Sequence, residues 1–162
     1  MFTAPATSLA GGGDVKFINR GTYLANAGSD FGAGTDTFTN SGIFRVLSTS
    51  ATAGTVTLAG LEAYNNSGTI DLRNGHVGDV LVLPGTYTGT GSAMLALEVN
   101  PGGAGANTDQ VRIGGAASGS TQVTLTSIGT NPAVLGTSAV LIQAGAGASA
   151  DDRQGQRARA VG

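Results

Sequence analysis

The chain has 162 residues, of which 28 are glycine, 40% are hydrophobic and 11% are charged, with a formal net charge of −2. Its apolar residues are grouped in short β-branched runs, which argues against disorder, and the absence of a Gly-X-Y period with only four prolines excludes a collagen-like fibre. The few basic residues leave no face for nucleic acid, and the absence of cysteine excludes disulfides and thiolate chemistry, so the composition predicts turn-rich β-structure.

Residues 1–14 are small, polar and glycine-rich, which predicts a loose N-terminal lead-in. They lack the basic region and apolar run of a signal peptide, so we expect no export signal here. No window of the chain reaches the ~18 apolar residues that predict a transmembrane helix.

One short phrase occurs three times between residues 15 and 77: an aromatic residue, a variable residue, asparagine, serine or arginine, and glycine. The copies are Phe17-Ile18-Asn19-Arg20-Gly21, Phe38-Thr39-Asn40-Ser41-Gly42 and Tyr64-Asn65-Asn66-Ser67-Gly68. Their aromatic positions lie 21 and 26 residues apart, a spacing typical of one coil of a β-solenoid. Residues 25–37 are predicted to form a connecting loop, and residues 55–58 alternate like a half-buried strand.

Short strands separated by turn signals could also build a β-sandwich or a barrel. The repeated phrase favours the solenoid, because neither of the other folds has a reason to repeat one motif per coil. In a parallel solenoid, equivalent side chains stack on one another, which predicts a structural ladder formed by Phe38, Asn40, Gly42, Tyr64, Asn66 and Gly68. We expect the asparagines to face inward and hydrogen-bond along the axis, and the glycines to supply a positive φ at the corner.

Residues 78–150 lack the phrase but continue the succession of strands and turns. Residues 80–83 form an apolar run closed by Pro84-Gly85, a strong turn signal, and residues 94–100 alternate between apolar and polar or small residues. The pattern predicts a cap whose core contains Val111, Ile113, Val123 and Leu125. Residues 151–162 are densely charged and lack alternation, which predicts a disordered tail.

Three segments carry a family resemblance: residues 60–72 (GLEAYNNSGTIDL), 78–87 (GDVLVLPGTY) and 108–123 (TDQVRIGGAASGSTQV). In this order and spacing they resemble the C-terminal passenger region of bacterial autotransporters. The third segment is similar to the pertactin-like junction of that family, and the resemblance covers roughly residues 36–150.

The resemblance implies a fragment of a right-handed parallel β-helix, with repeat coils in residues 15–77 and an autochaperone cap in residues 78–150 that folds first. It implies a structural, non-enzymatic stalk of a type V secreted protein, at the cell surface or outer membrane or released, with no cofactor. The implied partner is the protein's own C-terminal β-barrel translocator, which this sequence does not contain; a host or surface ligand is left open. Because the chain lacks an export signal and stops before further coils and the barrel, we expect a truncated or frameshifted reading of a longer gene.

Two other classes of function stay open at this point. A secreted β-helix enzyme that degrades polysaccharide would need a cluster of carboxylates on one outward face, and Asp71, Asp79, Glu98 and Asp109 recur about once per coil. Single carboxylates at turns are more typical of Asx caps, and His76, the only histidine, is read as an exposed turn residue. An adhesin would need exposed aromatic side chains, whereas most aromatic residues here lie at stacked positions. We therefore predict no catalytic, cofactor or metal site.

Overall fold

Strands alone build the described part of the chain. The computed structural model describes residues 2–4, 7–101, 108–129 and 140–145, and these ranges contain 17 β-strands and no helix. No helix that could cross a membrane occurs within these ranges. The predicted tail, residues 151–162, lies outside the described residues.

The strands form three parallel sheets, which the chain visits in a fixed order. Sheet 1 contains β1 (Phe2–Ala4), β4 (Thr22–Ala25), β7 (Ile43–Val46), β10 (Thr69–Asp71), β13 (Met94–Val99) and β16 (Gln122–Ser127). Sheet 2 contains β2 (Thr7–Gly11), β5 (Ser29–Gly32), β8 (Thr55–Ala59), β11 (Val80–Leu83), β14 (Gln110–Ile113) and β17 (Ile142–Ala144). Sheet 3 contains β3 (Lys16–Asn19), β6 (Thr37–Asn40), β9 (Ala63–Asn66), β12 (Thr86–Gly89) and β15 (Ala117–Gly119).

Each strand pairs in parallel with the strand three positions later in the chain, so successive turns of the chain stack into a solenoid. The all-β parallel solenoid predicted from the repeated phrase is confirmed.

The core runs along the solenoid axis between the three sheets. Because paired strands keep a common register, side chains of equivalent residues form inward-facing columns, such as Tyr23 on Phe44 in sheet 1 and Val56 on Leu81 in sheet 2. Phe44, Val56 and Leu81 are completely buried. Burial of one such side chain contributes about 1.5–3 kcal/mol to stability. Because the columns run from coil to coil, each coil is stabilised mainly by contact with the coils beside it.

Two segments predicted to be irregular contain strands. Residues 2–4 and 7–11, expected within a loose lead-in, form β1 and β2 and pair with β4 and β5. Residues 29–32, expected within a loop, form β5, whose Phe31 is buried in the core. Sequence alternation missed these strands because they are short and rich in serine, threonine and glycine, and pairing to a neighbouring coil overrides their weak local preference.

Two of the three glycines of the repeated phrase, Gly42 and Gly68, are required by close packing and not by backbone conformation. Gly42 and Gly68 are not among the residues with positive φ, so the prediction that they supply a positive φ is wrong. A Cβ atom at Gly68 would overlap the carbonyl oxygen of Gly42, and one at Gly42 would overlap the carbonyl oxygen of Gly21. The corners of successive coils therefore stack so closely that a side chain has no room.

The predicted cap core is buried in one half and partly exposed in the other. Val111 and Ile113 are buried in β14. Val123 and Leu125 pair with Leu95 and Leu97, which places them in inward-facing columns, yet they are 38% and 41% exposed. The prediction that these two are buried is wrong because β16 is the terminal strand of sheet 1 in the part of the chain that is described, where no further strand covers its far edge.

Candidate functional site

An aromatic column runs through sheet 3 at the first position of the repeated phrase. Phe17 stacks on Phe38 with ring centroids 4.8 Å apart, and Phe38 stacks on Tyr64 at 5.0 Å. Tyr87 extends the column one coil further, with its ring centroid 6.2 Å from that of Tyr64. Phe38 and Tyr64 are each 1% exposed, so these rings form core contacts and offer no surface to a ligand.

An asparagine column lies beside the aromatic column. The Asn19 side-chain amide donates to Asn40 Oδ1 at 2.8 Å, and the Asn40 amide donates to Asn66 Oδ1 at 2.9 Å. Asn40 also donates to the Thr69 carbonyl, and Asn66 Oδ1 accepts from the Gly68 N–H. The column thus links adjacent coils and satisfies backbone groups at the corners, which is the arrangement expected from the sequence.

Two tyrosine hydroxyls of the aromatic column have different surroundings. The Tyr87 hydroxyl accepts from the Asn66 amide at 3.2 Å and lies 2.9 Å from the Thr121 hydroxyl. Tyr87 therefore takes the place of an asparagine at the end of the asparagine column. The Tyr64 hydroxyl is buried and has no hydrogen-bond partner. Burial raises the pKa of Tyr64, with the neighbouring tyrosines adding to the rise, so the group stays neutral.

Three carboxylates converge at the turns that lead from sheet 1 to sheet 2, and we call Asp79, Glu98 and Asp109 the acid cluster. Asp109 accepts from the backbone N–H of Asp79 at 3.1 Å and from that of Glu98 at 2.7 Å. Asp79 accepts from the Gly54 N–H at 2.8 Å and from the Asn74 side-chain amide at 2.7 Å. Glu98 accepts from the Asn74 N–H at 3.0 Å and the Gly75 N–H at 2.9 Å. The cluster therefore ties together three successive turns of the solenoid.

Burial dominates the electrostatics of this cluster. Asp79 and Asp109 have no exposed surface, and Glu98 is 4% exposed. Burial raises the pKa of Asp109 to about 7; the charges of Asp79 and Glu98 add to the rise, and its two backbone hydrogen bonds oppose it. Burial also raises the pKa of Asp79, against the hydrogen bonds from Gly54 and Asn74.

Asp71 lies apart from the acid cluster and pairs with arginines. Its carboxylate accepts from Arg73 Nε at 2.8 Å and from Arg45 at 2.9 Å. Burial alone would raise the pKa of Asp71, but the hydrogen bonds from Arg73 and Arg45 outweigh it and hold the pKa below its usual range. The Arg73 N–H also caps this carboxylate, as an Asx turn would.

The carboxylates that a polysaccharide-degrading enzyme would use are thus held inside the protein. Backbone N–H groups donate hydrogen bonds to Asp79, Glu98 and Asp109, and Asp71 forms ion pairs with arginines. His76 is half-buried, and its backbone N–H donates to Asn74 Oδ1. Among the described residues, no group of three acidic, histidine or cysteine side chains is arranged to hold a metal ion. The arrangement is suited to joining coils and offers no accessible acid–base pair.

Sequence reasoning named all three members of the acid cluster but did not bring them together. Glu98 lies on the face of β13 opposite to Leu95 and Leu97, and it is nevertheless buried because the turn at Asn74 and Gly75 covers that face. Asn74, which contacts both Asp79 and Glu98, was missed. The dipeptide Asn74-Gly75 is a turn signal that could have marked this residue.

Comparisons with known proteins add no relative: no protein-family model matches the chain, and no curated protein or solved structure is significantly similar to it.

Proposed function

We propose that this chain is a non-enzymatic segment of an autotransporter passenger, forming part of a β-helical stalk at the bacterial cell surface. Residues 78–150 would act as an autochaperone whose coils fold first, and the partner would be the C-terminal β-barrel translocator of the same protein. The family resemblance of residues 36–150 supports the passenger assignment.

One observation carries the structural part of the proposal: parallel, in-register pairing runs from β1 to β16 without interruption. In such a stack, each coil contacts mainly its neighbours, so a stable end can template the folding of the next coil. The burial of Asp79, Asp109 and Glu98 also supports a structural role, because a substrate could not reach them.

Refolding kinetics test the autochaperone role with two matched substitutions. Ile113→Val lies in the proposed cap and Ile70→Val in the repeat coils; both isoleucines are buried, and each change removes one methyl group at a cost of about 1 kcal/mol. If the cap forms first, Ile113→Val slows refolding about fivefold and leaves unfolding unchanged. Ile70→Val instead leaves refolding unchanged and speeds unfolding about fivefold.

The reverse assignment, with Ile70→Val slowing refolding and Ile113→Val speeding unfolding, would refute the autochaperone role. The passenger assignment has a separate test in the DNA that follows codon 150. An autotransporter requires a downstream reading frame for a β-barrel that ends in an aromatic residue. If no frame encodes such a barrel, the autotransporter assignment fails, whereas the structural role does not.

A further inference from the structure

The acid cluster places three carboxyl groups where neither solvent nor an arginine hydrogen bond neutralises them. Asp79 and Asp109 are fully buried, and the side-chain hydrogen bonds of all three come from backbone N–H groups or from the Asn74 amide. A proton bound by one of the three carboxyl groups would reduce the repulsion among them, while the N–H donors favour the charged form.

The acid cluster also connects successive coils of the solenoid. Asp109 accepts from the N–H of Asp79, which directly precedes β11, and from the N–H of Glu98 in β13. Asp79 in turn accepts from the Gly54 N–H, which directly precedes β8. These hydrogen bonds join β8, β11 and β14 at their N-terminal ends, so a change of charge in the cluster acts on three successive coils.

We propose that the acid cluster is a pH-dependent latch: a proton held on Asp109 keeps the coils that carry β11 and β14 joined, and its release to solvent loosens this joint. The inference concerns regulation of the fold and does not depend on the passenger assignment. The reaction is the dissociation of one carboxylic acid into a carboxylate and a solvated proton.

The surroundings of Asp109 determine the pH range of this latch. The negative groups facing it are Asp79 and Glu98; His76 lies near Asp79, and Arg73 lies near Glu98 but is bound to Asp71. On β14 itself, Arg112 is exposed and bonded to Gln110, β17 contains no titratable residue, and residues 102–107 carry none in the sequence. None of these basic side chains donates a hydrogen bond to Asp109, which accepts from the backbone N–H groups of Asp79 and Glu98.

The sign of the pH dependence follows from the raised pKa of Asp109. Because the pKa is about 7 in the folded chain and near 3.8 in the unfolded chain, the native state binds the proton more tightly. The stabilisation is complete below the unfolded pKa and is lost as the pH rises through 7. The contribution of Asp71 to the pH dependence of stability has the opposite sign. Its lowered pKa stabilises the fold at pH values above the usual carboxyl range, and this stabilisation is lost in strong acid.

Urea unfolding at about pH 5 and about pH 8.5 tests the latch. The unfolding equilibrium constant of the parent chain is expected to rise about a hundredfold between these conditions. Asp109→Asn keeps the shape but removes the titration, so its unfolding constant is expected to change less than tenfold. Asp30→Asn is the matched control, because Asp30 is exposed and accepts only a local hydrogen bond from the Gly32 N–H; it should keep the parent's pH response.

A parent chain that is equally stable or more stable at the higher pH would overturn the latch, as would an Asp109→Asn chain that keeps the full pH response. If Asp109→Asn does not fold, ¹³C NMR titration of the aspartate carboxyl carbons in the parent chain decides the matter. An apparent pKa of about 7 for the resonance assigned to Asp109 supports the latch. Titration of every aspartate below about pH 5 contradicts it.

Discussion

Replacing Asn66 by alanine tests whether the asparagine column stabilises the solenoid. Asn66 Oδ1 accepts from the Asn40 amide and the Gly68 N–H, and the Asn66 amide donates to the Tyr87 hydroxyl. Each hydrogen bond contributes about 1 kcal/mol net, and a buried partner left unpaired costs about 1–3 kcal/mol. Asn40 keeps a second bond to the Thr69 carbonyl, which limits the loss. We expect Asn66→Ala to lower the free energy of unfolding by about 3 kcal/mol, out of a total of about 5–15 kcal/mol for a domain.

The neighbouring residue supplies the control for this experiment. Asn65 lies next to Asn66 in β9 but is exposed, whereas Asn66 is fully buried. Asn65→Ala should change the free energy of unfolding by less than about 0.5 kcal/mol. Urea unfolding followed by far-UV circular dichroism measures both variants, with unchanged m values expected. Equal costs for the two substitutions would show that the column hydrogen bonds do not stabilise the fold.

Two further matched pairs test the close packing of the corners and the unpaired hydroxyl. Gly68→Ala is expected to lower the unfolding free energy by several kcal/mol, because its Cβ would overlap backbone of the preceding coil, whereas Gly21→Ala has open space and should cost less than about 1 kcal/mol; similar midpoints of thermal unfolding for the two variants would contradict the packing argument. Tyr64→Phe removes a buried hydroxyl without a partner and should leave stability unchanged or raise it by about 1 kcal/mol. Tyr87→Phe removes a bonded hydroxyl and should lower stability by about 1–2 kcal/mol; the opposite order in urea midpoints would refute this assignment.

The parts of the fold that sequence reasoning predicted are those in which one residue type is repeated at one position. Phe17, Phe38 and Tyr64 stack, and Asn40 bonds to Asn66, because parallel pairing brings equivalent residues into contact. The repeated phrase therefore predicts both where the strands of sheet 3 lie and in which register they pair. No comparable repetition marks β1, β2 or β5, and their membership in the sheets depends on contacts with the adjacent coil.

The conformation of the repeated corner was outside what spacing could predict. Glycine serves both backbone freedom and close approach, and its occurrence in Asn-Ser-Gly does not distinguish the two. In Gly42 and Gly68 the close approach of adjacent coils is the cause. This distinction needs the distance between turns of chain that are about 21 to 26 residues apart.

The acid cluster shows a second limit of sequence reasoning. Asp79 and Asp109 are 30 residues apart, and Glu98 comes from the outward side of a strand. Their convergence depends on the length of the turns that precede β11 and β14, and on the turn at Asn74 that covers β13. Isolated carboxylates in a sequence predict side chains that accept hydrogen bonds from backbone N–H groups at turns, and the three carboxyl groups of the acid cluster do this. The sequence does not predict that the three lie buried beside one another.

The measurement that tests the central claim most directly is disulfide formation between engineered cysteines, which the cysteine-free chain permits without background. Thr39 pairs with Asn65, and Asn65 pairs with Thr88, so equivalent positions on successive coils should lie about 4.8 Å apart. The double variant Thr39→Cys and Asn65→Cys is expected to form an intramolecular disulfide under mild oxidation. Thr39→Cys with Thr88→Cys spans two coils, about 10 Å, and should stay reduced because a disulfide needs Cα atoms within about 7 Å. Equal oxidation of the two pairs, or oxidation of the second pair alone, would contradict the stacked-coil structure.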